Sequence, residues 1–158
     1  MTPLRVLECR TPLGLNPSLA GIKHLNRLEQ VLAAQEVQTA GMDEGLMCDR
    51  AGHVIGGTRS NLFVVRGNTL LTPRLDDAGI HGIMRRIVIE HVSLIGMTAG
   101  EATLTLHEVI SADELWMTNA LMGIRPVASL QSSLGQCTYS IEKGVHAQAI
   151  FQAASLAP

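Results

Sequence analysis

Leu19-Ala20-Gly21-Ile22-Lys23-His24-Leu25-Asn26-Arg27-Leu28-Glu29-Gln30-Val31-Leu32 is the stretch on which the reading of this chain turns. Pro12, Gly14, Asn16 and Pro17 precede it, a composition that gives an irregular loop. From residue 24 to about residue 38, Leu25, Leu28, Val31 and Leu32 recur at helical spacing with charged or amide residues between them, which predicts a helix. Lys23 then stands where loop becomes helix. The 12 basic residues are ten arginines and only two lysines, Lys23 and Lys143. Small and apolar neighbours make Lys23 a candidate for partial desolvation, which disfavours an ammonium and suits a lysine that condenses with a carbonyl. The same context suits a lysine that merely extends its stem over apolar surface at a helix start, the commoner outcome.

Working outward, residues 4–9 read as a strand, and short strands follow the helix at 45–49, 53–55, 61–66 and 69–72. Gly52 and Gly67-Asn68 supply the turns of what reads as a local antiparallel meander. Apolar residues at 83, 84, 87, 88, 92 and 95 predict a broad-faced buried helix over 83–95, opened by Gly79 and Gly82. Strands are expected at 102–107, 115–118, 126–130 and 137–140, and a closing helix at 145–154. This order implies one α/β domain over residues 1–158 with a mixed, barrel-like sheet and flanking helices, not a doubly wound sheet.

Bulk properties narrow the function. The 158 residues are 46% apolar and 3% aromatic, so the core is aliphatic. A net charge of −2 gives no basic stripe, and four aromatic rings offer few stacking platforms, which argues against nucleic acid as a partner. Cys9, Cys48 and Cys137 are odd in number and widely spaced, as expected of buried thiols in a reducing compartment. Neither a signal-length segment nor an uncharged membrane-length run is present, so a cytoplasmic location is expected.

A second candidate site is Ala78-Gly79-Ile80-His81-Gly82-Ile83-Met84-Arg85-Arg86. Backbone N–H groups of Ile83 and Met84 just after Gly82 would face an anion at a helix start, and a phosphate suits that position. An ordinary glycine-flanked helix start reads the same way. The six histidines show no ligand spacing with a third group nearby, which argues against a metal site. No nucleophile elbow, phosphate loop or dinucleotide fingerprint occurs. Arg27, Arg59 and Arg125 are three candidate carboxylate forks, with surface solvation the alternative for each.

Taken together, residues 19–32, Thr58-x-Ser60-Asn61-Leu62-Phe63, Thr72-Pro73-x-Leu75-Asp76-x-x-Gly79-Ile80-x-Gly82-Ile83-Met84-Arg85, and Ala112-Asp113-Glu114 with Asn119-Ala120-Leu121-Met122 resemble the aminodeoxychorismate lyases. These are fold-type IV pyridoxal-phosphate enzymes, related to the branched-chain aminotransferases, and the resemblance spans nearly the whole chain. Transferases of this class carry an Asn-Tyr pair after their lysine, where this chain has Asn26-Arg27-Leu28. The resemblance implies the large C-terminal domain of such an enzyme, with a smaller N-terminal domain absent. It makes Lys23 the residue bonded to the cofactor and the proton carrier, and Ile83, Met84, Asn119 and Ala120 the phosphate-binding residues. The reaction implied releases pyruvate from 4-amino-4-deoxychorismate to leave 4-aminobenzoate for folate synthesis, in a homodimer.

Besides the absent N-terminal domain, a second feature departs from the family pattern. A Glu that meets the pyridine nitrogen is replaced by Gly56, and Glu44 is the candidate substitute. The alternatives that stay open are a D-amino-acid or branched-chain aminotransferase, and a truncated or degenerate domain that keeps the fold without turnover.

Overall fold

The computed structural model describes residues 2–155. Its elements in chain order are β1 (Leu4–Glu8), α1 (Leu28–Thr39), β2 (Glu44–Cys48), β3 (His53–Gly57), β4 (Asn61–Arg66), β5 (Thr69–Pro73) and α2 (Ile83–His91). There follow a 3-10 turn (Val92–Ile95), β6 (Thr98–Ala102), β7 (Leu104–Thr105), α3 (Leu106–Ile110), β8 (Glu114–Asn119), β9 (Gly123–Ser132), β10 (Gly135–Thr138) and α4 (Glu142–Ser155).

All ten strands belong to one mixed sheet, ordered β6-β5-β4-β8-β9-β1-β2-β3-β7, with β10 pairing β9. β1 runs parallel to both neighbours, Leu4 opposite Val127 and Val6 opposite Glu44. The path is open, so the expected mixed sheet is present without hydrogen-bonded closure. Its curl is nevertheless strong. Apolar residues from seven strands, among them Val6, Leu46, Val54, Val64, Leu104, Met117 and Val127, meet in a single cluster with Val109 of α3. One face of the sheet therefore wraps its own interior.

The opposite face carries the helices. Phe63, Val65, Trp116 and Ile124 pack against Val88 of α2 and Ala147 and Phe151 of α4. The buried Glu114 carboxylate fixes the start of α4, accepting from the Lys143 and Gly144 backbone N–H groups at 2.9 Å and from Trp116 Nε1 at 3.0 Å. A third cluster joins Ala33 and Val37 of α1 to Met47 and Ile55.

Four expectations are corrected. The helix after Lys23 begins at Leu28, so Lys23 lies within the loop and not at its junction. The meander is two separate hairpins: β2 pairs β3 and β4 pairs β5, while the free edge of β4 is taken by β8, Phe63 opposite Trp116. The helix at 83–95 is α2 plus a 3-10 turn, and its buried residues include Arg85, held by Pro73 O at 3.0 Å and by Glu101 at 3.2 Å. The strand at 102–107 is cut short because Thr105 and Glu108 form a capping box that starts α3.

Candidate active site

The loop carrying Lys23 is tied down by an isolated parallel bridge, Gly21 to Ile80. Gly21 N–H donates to Gly79 O and His81 N–H donates to Gly21 O, both at 3.0 Å. Gly21 has φ 79°, and a Cβ there would lie 2.2 Å from the His81 ring, so only glycine fits. Lys23 is two residues past the bridge on one strand and Gly82 two residues past it on the other. One short contact thus sets the lysine loop beside the tip of α2.

Asn61 fixes that tip from the sheet. Its Nδ2 donates to Ile80 O at 2.9 Å, and a Cβ on Gly82 would fall 2.2 Å from its Oδ1. Gly82 is extended (φ −63°, ψ 142°) and offers no side-chain cap, so the first N–H groups of α2 have no partner within the helix. Such a terminus attracts anions through both the free donors and the helix dipole.

Lys23, Ile83, Asn119 and Ala120 all line one cavity of about 590 Å³. The β3–β4 turn at Gly56–Asn61 and Thr118 of β8 complete much of its wall. Thr118 is fully buried and its Oγ1 has no partner among the described residues, an orphaned polar atom on the cavity wall. Asn119 shapes the next turn, its Oδ1 accepting from Leu121 N–H at 3.0 Å and Met122 N–H at 2.9 Å. Met84 is placed differently: its side chain packs with the Phe63 and Trp116 cluster, and only its backbone belongs to the α2 tip. Lys143 stands outside this cavity, donating to Gly67 O.

The candidate substitute acid does not reach the cavity. Glu44 is 2% exposed and beneath the β3–β4 turn, where it accepts from Thr58 Oγ1 at 2.5 Å, Ser60 Oγ at 3.0 Å and Gly45 N–H at 2.9 Å. It builds the turn. Among the described residues that line the cavity no Asp or Glu occurs, whereas Lys23, Arg27, Arg59 and His81 do. The described lining is therefore cationic, with one amine among its side chains. Cys9 and Cys48 stand outside it, their thiols pushed up to about 12, chiefly by burial, which makes them poor nucleophiles.

The sequence profile of amino-transferase class IV matches residues 3–130. The chain belongs to the aminotransferase class IV family. Within class IV it is 38% identical over 135 residues to the aminodeoxychorismate lyase of Vibrio harveyi, an alignment covering 85% of this chain and 50% of that one. The crystal structure of 4-amino-4-deoxychorismate lyase from Pseudomonas aeruginosa superposes with a TM-score of 0.88 at 36% identity, covering 98% of this chain and 56% of the other. A branched-chain amino acid aminotransferase from Thermobaculum terrenum, solved in its PLP form, gives 0.75 at 28% identity, over 82% and 43% of the two chains. The chain spans about half the length of the class IV relatives it matches. Lyases and transferases both appear among them, so class IV membership alone leaves the reaction to the site.

Proposed function

We propose that this chain is the cofactor-carrying part of an aminodeoxychorismate lyase, acting on 4-amino-4-deoxychorismate with pyridoxal 5'-phosphate to give pyruvate and 4-aminobenzoate, a folate precursor. The observation that carries the reading is that Lys23 and the unpaired α2 tip line one cavity. An aldehyde and a phosphate on one small molecule need this pair of partners. The orphaned Thr118 Oγ1 gives the cavity a further polar anchor.

Bound pyridoxal phosphate supplies an electron sink for the bond broken next to the substrate nitrogen. The chain's own residues do the rest. Lys23 Nζ would hold the cofactor, and the same amine would take the proton from the amine-bearing carbon of the substrate and supply one to the departing fragment. The N–H groups of Ile83 and Met84, with the Asn119-Ala120 turn, would hold the phosphate. The lyases from Vibrio harveyi and Pseudomonas aeruginosa support the lyase over the transferase. A homodimer in the cytoplasm completes the reading.

A second reading has its own observation. Among the described residues no carboxylate lines the cavity where the ring nitrogen would need one, and Gly56 stands at the position where the resemblance expects it. An unprotonated ring is a weaker sink, and a domain that binds the cofactor without turnover is the result. Borohydride reduction of the protein with pyridoxal phosphate, peptide mapping and a pyruvate assay separate the two. The lyase gives label at Lys23 and pyruvate from aminodeoxychorismate; the inert domain gives label alone. Label at Lys143, or none, removes both.

A further inference from the structure

Of the four cationic side chains on the cavity, three have neighbours or a role that account for them. Lys23 is the amine. Arg59 is 72% exposed, sits 3.6 Å from the Glu44 carboxylate and donates to Asp43 O at 3.1 Å. The His81 ring packs on Gly21. Arg27 differs from all of them.

Arg27 is half-buried, and among the described residues no carboxylate pairs with it. Its one side-chain hydrogen bond among those residues runs from Nη2 to Thr58 O at 3.1 Å. That bond engages Nη2, and among the described residues Nε and Nη1 have no hydrogen-bond partner. Burial holds its pKa below the ordinary arginine value, with no acid to offset it. An arginine keeps its proton in any case, so a desolvated, unpaired guanidinium is costly until an anion meets it.

A second polar group shares the wall. Gln30 is three residues along the same stretch, and both it and Arg27 line this cavity and the adjoining hollow of about 630 Å³. Its Oε1 is buried without a partner among the described residues. Turning that amide presents Nε2 instead, a donor beside the arginine fork. A planar fork and a neighbouring amide suit the two oxygens of one carboxylate.

We propose that Arg27, assisted by Gln30, binds the ring carboxylate of the substrate, the one that 4-aminobenzoate keeps, and orients it against Lys23. The proposal rests on the lyase reading for its ligand: aminodeoxychorismate carries two carboxylates, and 4-aminobenzoate keeps one. It also selects among the three arginine forks considered from sequence. Arg59 is paired, and Arg125 on β9 is off the cavity, donating to Thr2 O.

The test is calorimetric titration of the full chain, loaded with pyridoxal phosphate, with 4-aminobenzoate and with its uncharged counterpart 4-aminobenzamide. Arg27→Met should weaken 4-aminobenzoate by about 10- to 100-fold and change 4-aminobenzamide by no more than about twofold, with Arg27→Lys between the two. Borohydride labelling of Lys23 should be unaltered in both variants, which also reports that they fold. Equal losses for the two ligands, no loss for either, or no binding of 4-aminobenzoate by the unmodified chain overturns the proposal. Turnover separates it from the lyase reading. Pyruvate release with an unchanged KM in Arg27→Met keeps the lyase and refutes Arg27; charge-selective binding without pyruvate release keeps Arg27 and refutes the lyase.

Discussion

Gly21→Ala is the most informative single perturbation, because the Gly21–Ile80 bridge is what brings the lysine loop to the α2 tip. At φ 79° an alanine costs about 1–2 kcal/mol from the left-handed backbone alone. The new Cβ would lie 2.2 Å from the His81 ring, so that ring must swing out or the two segments part, and parting them weakens or breaks both 3.0 Å bridge hydrogen bonds. At about 0.5–1.5 kcal/mol each, the bonds bring the total against the docked loop to roughly 2–5 kcal/mol. Gly21 belongs to none of the three core clusters, so this energy opens the loop without unfolding the sheet. The expected outcome is a roughly 30- to 5,000-fold loss of pyridoxal-phosphate affinity by absorbance titration, with the urea midpoint changed by the equivalent of less than about 1 kcal/mol. Amide hydrogen exchange should show lost protection at Gly21 and His81 alone. An alanine variant that keeps both protection and cofactor affinity would refute the claim that the bridge holds the site together.

Two acids, the buried Glu44 and the partly exposed Glu36, give two more tests. Glu44→Ala leaves the Thr58 and Ser60 hydroxyls without their acceptor and should cost about 2–4 kcal/mol in urea unfolding, while a titration of Lys23 labelling shows the β3–β4 wall loosened. Glu36 is subject to burial, which raises its pKa, but donors at Thr11 Oγ1, Arg10 N and Thr11 N outweigh it and hold the carboxyl below its ordinary value. The stability from this depressed acid is complete above the ordinary carboxylate pKa and is lost as pH falls through the folded one. Urea midpoints measured downward from neutral pH should therefore fall in acid, and less steeply in Glu36→Gln; identical slopes would remove Glu36 as a contributor.

Local order was readable where sequence neighbours decide it. β4 has the limits expected from residues 61–66, because an apolar run is bounded by Ser60 on one side and by the Gly67-Asn68 turn on the other. The candidate site was readable as two unconnected fragments, a lysine loop and a glycine-opened helix. Misreadings came where two local signals compete or where a partner is distant. Thr105 and Glu108 had the spacing of a capping box, a signal that outweighs the strand-like composition around it.

The helix after Lys23 shows the limit of periodicity. Leu25, Leu28, Val31 and Leu32 make an apolar stripe of the kind that ordinarily faces a core, yet they are 99%, 70%, 51% and 44% exposed, and α1 buries Ala33 and Val37 instead. Spacing says which side chains share a face and not what lies opposite.

The amino-acid sequence by itself determined the family and the order of most elements, because turns, caps and short motifs depend on neighbours a few positions apart. Only the tertiary structure decided that β1 is clasped between β2 and β9, that Glu44 is committed to a turn, and that Arg27 faces the cavity uncompensated. Those outcomes depend on groups brought together from distant parts of the chain, where burial and pairing, not local preference, fix what each side chain meets.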